Sequence, residues 1–95
     1  MFYVYILHSS LLNQFYIGFT SNLEQRLELH LSPTENRKFT AKAKDWTIYF
    51  KIECETKTQA LAIEKHIKNM KSKVYIENLL RYPEISIKLL EKYKV

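Results

Sequence analysis

Glu64 is a carboxylate placed among apolar neighbours. On a helix, Ala60, Leu61 and Ile67 lie three or four positions from Glu64 and share its face. A charged group in such a stripe is costly unless it is paired or binds a cation. The position has two interpretations. Glu64 binds a cation, or it is an edge residue that reaches solvent or pairs with Lys68 one turn later.

Arg26 and His30 lie one helical turn apart, beside a stripe of leucines. The guanidinium group of arginine is a planar, permanently charged fork that matches a phosphate, and histidine titrates near neutral pH. The two side chains are therefore suited to a phosphate site. The alternative is an ordinary solvated flank of an amphipathic helix.

Three tyrosines lie in two short segments that are rich in aromatic and β-branched residues. The period of two in a strand places Tyr3 and Tyr5 on the same face of a sheet, and Tyr16 lies in the next segment. Tyrosine is also common in strands for packing reasons, so these residues alone do not establish a site.

Gly18 is the only glycine in 95 residues, and it falls inside a segment that reads as a strand. Glycine weakens a strand. A glycine inside a strand usually marks a bulge or the close approach of a ligand or another backbone. Gly18 comes just after Tyr16 and just before the segment that carries Arg26 and His30. The clustering of these residue types at one corner favours a functional site.

The elements that position these residues can be predicted from periodicity and from local capping signals. A short gap joins the first two strands as an antiparallel hairpin. Two capping boxes, Ser21 with Glu24 and Thr56 with Gln59, open the first two helices. Strands are predicted at residues 2–7, 15–19 and 46–53. Helices are predicted at residues 22–31, 57–70, 72–81 and 84–94.

The order β-β-α-β-α-α-α predicts an α+β fold with a small, three-stranded, mostly antiparallel sheet flanked by helices. Ninety-five residues make one domain with one modest core. The formal net charge of +5 suggests a polyanionic partner, either nucleic acid or an anionic membrane surface. No apolar run approaches the length of a membrane span.

Cys54 is the only cysteine, so an internal disulfide and a site with several thiolate ligands are both excluded. A chain without disulfides suits a reducing compartment. The apolar and aromatic start, residues 1–8, has no basic lead and is not a signal peptide. We therefore expect a cytoplasmic protein, or a nuclear one if the host has a nucleus.

The ordered set of these residues resembles the GIY-YIG nuclease family, in particular its small single-domain bacterial members. Residues 3–5, with the sequence Tyr-Val-Tyr, are similar to the first half-motif, with Tyr3 in the place of the glycine that gives the family its name. Residues 16–18, with the sequence Tyr-Ile-Gly, match the second half-motif. The resemblance covers residues 2–80 and extends to Arg26, His30 and Glu64.

The resemblance implies hydrolysis of phosphodiester bonds with one divalent ion, Mg²⁺ or Mn²⁺, held by Glu64. A single carboxylate holds such an ion weakly unless the substrate is present. Arg26 would clamp the scissile phosphate, and a tyrosine would act as the base. We favour Tyr16 as this base, with Tyr5 as the alternative and His30 assisting proton transfer.

A carboxy-terminal asparagine occurs in many members of the family. Asn78 is the candidate for it in this sequence, and Asn69 is the second choice. The resemblance further assigns residues 1–82 to the nuclease domain, with residues 83–95 forming a C-terminal helix that packs on the same domain.

Seven basic residues are candidates for binding the nucleic-acid backbone through phosphate contacts. They are Arg37, Lys38, Lys42, Lys44, Lys68, Lys71 and Lys73. Nothing in the sequence is typical of a base-reading helix, so we expect recognition of backbone or shape, in DNA more than in RNA. A protein partner that supplies targeting is a further expectation, and the oligomeric state stays open. The alternatives are a binding module with little catalytic activity and a plain interaction domain.

Overall fold

The described residues form a sheet of three strands, and its central strand comes first in the chain. The computed structural model describes residues 1–25 and 45–94. The strands are β1 (Phe2–Ser9), β2 (Gln14–Thr20) and β3 (Thr47–Cys54), in the spatial order β2-β1-β3. Both pairings are antiparallel, with Tyr5 opposite Gly18 on β2 and opposite Lys51 on β3. The predicted hairpin and the predicted α+β fold with a small antiparallel sheet are confirmed.

β1 takes the central position because it is apolar on both faces. Its residues Val4, Tyr5, Ile6 and Leu7 are at most 2% exposed. A strand that is buried on both sides carries a continuous apolar run rather than an alternating one. Only an inner strand, with neighbours along both edges, can use such a run.

Three helices follow β3 in the described part of the chain. They are α1 (Lys57–Met70), α2 (Lys73–Arg81) and α3 (Pro83–Lys92). These bounds agree with the predicted helices to within two residues at each end. Residues 23–25 are also helical, and the rest of the helix predicted at residues 22–31 lies outside the described residues. No helix of the described part is long and apolar enough to cross a membrane.

The helix caps confirm one predicted capping signal and correct the other. Thr56 caps α1, where its side chain accepts a hydrogen bond from the amide of Gln59 at 3.1 Å. The prediction of Ser21 as the first cap is wrong, because Oδ1 of Asn22 accepts from the amide of Gln25. The hydroxyl of Thr20 exchanges hydrogen bonds with the backbone of Asn22, which moves the start of the helix one residue along the chain.

The sheet separates a large core from a small one. Val4 and Ile6 of β1 face the helices, where they pack with buried residues of α1 such as Ile63 and Ile67. Leu89 of α3 belongs to the same core. The opposite face of β1 contributes Tyr5 and Leu7 to a second, smaller cluster with Trp46.

The C-terminal helix α3 is also joined to α1 by a hydrogen bond. The buried side chain of Gln59 donates from Nε2 to the carbonyl oxygen of Leu90 at 2.8 Å and accepts from the amide of Glu55 at 2.9 Å. Tyr82 separates α2 from α3, and Pro83 begins α3, where a missing amide hydrogen costs little. The domain boundary between residues 82 and 83 stays a prediction.

Candidate active site

Tyr5 and Tyr16 lie on the sheet face that the helices α1 to α3 do not cover. Their ring centroids are 6.3 Å apart, and the ring planes are inclined by 33°. Tyr5 is 2% exposed, whereas Tyr16 is half-buried on the edge strand β2. Sequence reasoning placed both tyrosines at the site, and the structure brings their rings together.

Gly18 is required by the side chain of Tyr5. A Cβ atom at position 18 would lie 2.6 Å from Oη and 2.8 Å from Cζ of Tyr5. No described glycine has a positive φ angle, so the backbone conformation does not explain the residue. The sequence predicted a bulge or the close approach of a ligand or backbone. The structure shows the close approach of a phenol ring from the adjacent strand instead.

Trp46 packs in the same buried cluster as the tyrosine pair. It is 1% exposed and forms the second core cluster with Tyr5 and Leu7, against which Tyr16 and Leu23 pack. Sequence reasoning treated Trp46 only as the start of a strand. The sequence contains one tryptophan, beside a polar connection, and this was the one available signal, because its buried partners Tyr5 and Leu7 are about forty positions away.

Asp45 joins the turn of the hairpin to the start of β3. The hydroxyl of Ser9 donates to Oδ1 of Asp45 at 2.6 Å, and the amide of Leu11 donates to Oδ2 at 2.9 Å. The hydrogen bond from Ser9, and after it the one from Leu11, lower the pKa of Asp45. Sequence reasoning missed this contact, which joins the end of β1 to the residues just before β3.

Glu64 lies at the flank of α1 rather than on its buried line. Ala60 and Ile67 are fully buried, but Leu61 is 40% exposed, so its predicted place in the apolar stripe is wrong. The side chain of Glu64 is 17% exposed, and its Oε1 lies 3.8 Å from Nζ of Lys68. This separation is at the limit for an ion pair, and Lys68 is itself 51% exposed. Such surface pairs contribute little stability.

α1 runs alongside the edge strand β2. Lys57, in its first turn, shares a cavity with Phe19 and Thr20, and Lys71, just after its end, shares another with Gln14. Glu64 is midway along α1 and therefore level with the middle of β2. The helix covers one face of the sheet and the tyrosine rings lie on the other. Glu64 would have to meet them around the edge of β2, and this convergence stays a prediction.

The comparison with known families gives one match, which covers most of the chain. The family model for the GIY-YIG catalytic domain matches residues 1–78. The chain belongs to the GIY-YIG family. Searches of curated proteins and of solved structures found no match. The two half-motifs of this GIY-YIG domain lie in the adjacent strands β1 and β2. The pairing of these strands places Tyr5 opposite Gly18.

The basic residues predicted after Glu64 border a single cavity of the GIY-YIG domain. Lys68, Lys71 and Lys73 all line it, and Nζ of Lys73 donates to the carbonyl oxygen of Asn13 in the hairpin turn at 2.7 Å. The other predicted cations and two catalytic candidates lie outside the described residues. They are Arg26, His30, Arg37, Lys38, Lys42 and Lys44.

The two asparagine candidates differ in exposure. Asn78 is half-buried on α2, and its carbonyl oxygen accepts from the amide of Tyr82 at 2.8 Å. Asn69 is exposed near the end of α1. The burial of Asn78 suits a structural or positioning role better than the open position of Asn69 does, and its part in catalysis stays a prediction.

GIY-YIG nucleases generally use divalent metal ions, and one carboxylate of this domain fits such an ion. Among residues 1–25 and 45–94, no three His, Cys, Asp or Glu side chains gather into a metal site. Glu64 offers carboxylate oxygens on a partly open helix flank. Mg²⁺ keeps several water ligands and needs only one or two carboxylates, so this donor set suits a weakly held hard cation.

Proposed function

We propose that the protein is a metal-dependent endonuclease that hydrolyses phosphodiester bonds in nucleic acid, in DNA more than in RNA, with little dependence on base sequence. The observation that carries this proposal is the tyrosine pair of the two half-motifs. Tyr5 is buried over Gly18, and Tyr16 stands 6.3 Å away at the surface of the edge strand. Membership of a nuclease family supports the same activity.

The exposure of the two phenols supports Tyr16 as the general base. A base must reach the attacking water, and Tyr16 is half-buried while Tyr5 is 2% exposed. Tyr5 would position Tyr16 and the water. A phenol has an ordinary pKa of about 10 and becomes a base near neutral pH only beside positive charge. Arg26 and a protonated His30 are the proposed sources of that charge.

Glu64 and Arg26 would divide the binding of the scissile phosphate. Arg26 would clamp its oxygens with two parallel hydrogen bonds. Glu64 would hold one Mg²⁺ or Mn²⁺ ion through its carboxylate. When bound, that ion supplies positive charge to the phosphoryl oxygens as a Lewis acid.

Conservative tyrosine variants test the assignment. Cleavage of single-stranded, flapped and duplex DNA, and of RNA, is measured with Mn²⁺ for Tyr16→Phe and Tyr5→Phe. Loss of a general base lowers kcat about 100-fold or more, so Tyr16→Phe should show that loss. Tyr82→Phe is the matched control, since Tyr82 is exposed between α2 and α3. Full activity of Tyr16→Phe would remove this residue from the mechanism.

A second candidate function is a nucleic-acid-binding module with the same fold and little turnover. The specific observation in its favour is the 3.8 Å approach of Lys68 to Glu64, since a paired carboxylate is a poorer metal ligand. A protein that binds DNA and cleaves none of the substrates with Mg²⁺ or Mn²⁺ would favour this candidate.

Two further expectations belong to the proposal. The lone, buried Cys54 suits a cytoplasmic location, and burial raises the pKa of its thiol, which keeps it unreactive. A protein partner would supply targeting, because a domain of this size has little surface beyond the site. Co-purification of the tagged protein from its host tests for such a partner.

A further inference from the structure

A cavity of about 220 Å³ opens between the edge strand β2, the end of α1 and the start of α2. We name it the lysine groove. Its apolar walls are Phe15 and Ile17 of β2, Ile67 of α1 and Ile76 of α2. Sequence reasoning named the lysines beside it but did not foresee a groove between them.

The aromatic wall of the groove is fixed in place. Phe15 is half-buried, and its ring contacts His8 at a centroid distance of 4.8 Å and Tyr49 at 4.9 Å. The Tyr49 contact is edge to face, with an interplanar angle of 73°. Because two neighbouring rings hold Phe15, its ring is a preformed surface for stacking. Nucleobases of any kind stack on aromatic side chains.

The rim of the groove is cationic. Lys68, Lys71 and Lys73 line it, and none of its lining residues is acidic. The αL conformation of Lys71, with φ at 48°, ends α1, and its amide donates to the carbonyl oxygen of Lys68. Lys73 is anchored to the hairpin turn through Asn13. Apolar side chains next to three lysines match a flat base flanked by phosphates.

The size of the groove excludes paired bases. Pockets for drug-sized ligands measure roughly 300–1,000 Å³, so this groove of about 220 Å³ holds little more than one ring system. A base inside a duplex is stacked and paired and cannot present its face to a side wall. On α1, Lys68 of the groove lies one turn after Glu64, whereas the tyrosine pair lies on the opposite face of the sheet.

We propose that the lysine groove binds the base of one unpaired nucleotide, with the neighbouring phosphates on Lys68 and Lys71. The preferred substrate is then single-stranded or flapped nucleic acid. This inference rests on the proposed nuclease function, since it names the substrate class of that function. It concerns binding, however, and can be measured without cleavage.

The test is binding of fluorescein-labelled DNA in EDTA, followed by fluorescence anisotropy. Three probes are compared: a single strand, the same strand with abasic sites, and the duplex. The single strand should bind about tenfold more tightly than the abasic strand, because stacking of a base on an aromatic ring strengthens binding by roughly that factor or more. Heparin, a polyanion without bases, serves as the competitor.

Two variants locate the effect in the groove. Phe15→Leu keeps an apolar wall and removes the aromatic face, so it should abolish the preference for the intact strand over the abasic one. Lys71→Asn removes one positive charge of the groove, and asparagine tolerates the αL conformation of this position. This variant should bind all three probes more weakly than the wild type does. Lys88→Gln, on the exposed part of α3, is the control with the same loss of charge and should change little.

Equal binding of the intact and abasic strands by the wild-type protein would overturn the proposal, as would duplex binding as tight as single-strand binding. If heparin displaces the intact and the abasic strand equally well, the groove binds negative charge alone and the proposal is wrong. If Phe15→Leu does not fold, the abasic probe still decides the question on the wild-type protein. Cleavage by the wild type without base preference would overturn the groove alone, whereas base preference without cleavage would overturn the nuclease function alone.

Discussion

The phenol ring of Tyr5 lies over the backbone of Gly18, its partner on the adjacent strand, so closely that a methyl group at position 18 would meet its hydroxyl oxygen at 2.6 Å. Tyr5 cannot move away freely, because it is 2% exposed and packs with Leu7 and Trp46. The only glycine of the chain and the buried tyrosine of the first half-motif thus form one structural unit. This unit sets the place of the half-buried Tyr16 beside it.

We expect Gly18→Ala to destabilise the fold and reduce cleavage together. Overpacking of a core site typically costs about 1–3 kcal/mol, and the displaced Tyr5 ring would move Tyr16. Thermal melts and kcat are measured on the same samples. The double variant Gly18→Ala with Tyr5→Phe should recover part of the stability, since it removes the nearest atom of the clash.

Thr47→Ser, at the exposed start of β3, is the control for Gly18→Ala. It should leave both the melting temperature and kcat close to those of the wild type. An unchanged melting temperature for Gly18→Ala would contradict the role given to the Tyr5 ring.

We expect Glu64→Ala to abolish Mn²⁺-supported cleavage and to leave stability nearly unchanged. Lys68 is half-exposed, and its Nζ lies 3.8 Å from Oε1 of Glu64. Loss of this ion pair therefore costs ~0.3–0.5 kcal/mol of stability at most. The higher helix propensity of alanine offsets part of that. Thermal melts and cleavage assays are run in parallel with Glu77→Ala, an exposed glutamate of α2.

A variant of Glu64 that melts much lower and still cuts would identify the residue as a structural ion-pair partner. In that case the metal assignment would be wrong, and the activity per folded molecule would equal that of the wild type.

The Asp45 carboxylate should make stability depend on acid pH. Hydrogen bonds from Ser9 and from the amide of Leu11 lower its pKa in the folded protein. A depressed folded pKa gives stability that is present above the unfolded pKa of about 3.9 and is lost as pH falls through the folded pKa. The melting temperature of the wild type should therefore fall more steeply below about pH 4 than that of Asp45→Asn. Parallel curves for the two proteins would show that Asp45 does not contribute to this dependence.

Nucleic-acid binding should weaken steeply as salt rises, because phosphate contacts with lysine and arginine release counterions. Titrations at several NaCl concentrations give the slope of log affinity against log salt. Lys68→Gln and Lys71→Asn should each reduce that slope by about one. Affinity that barely changed between low and physiological salt would rule out phosphate contacts with the predicted basic residues as the means of binding.

The sequence alone determined the parts of this protein that depend on nearby residues. Periodicity of two and a short gap predicted the hairpin of β1 and β2. The Thr56 cap of α1 was correctly predicted, because its partner Gln59 is three residues away. The ordered half-motifs predicted the family, since they are read along the chain.

The tertiary structure decided the contacts between distant segments. The register of β1 against β2 placed the Tyr5 ring over Gly18. A local sequence pattern cannot predict which side chain of the neighbouring strand lies over a glycine. Asp45 reached Ser9 across 36 positions. Leu61 proved exposed because helical periodicity gives the spacing of a face but not the direction in which the helix is turned against the sheet. That direction follows from packing the whole core at once, which is why the lysine groove between β2, α1 and α2 could not be foreseen from any one of its segments.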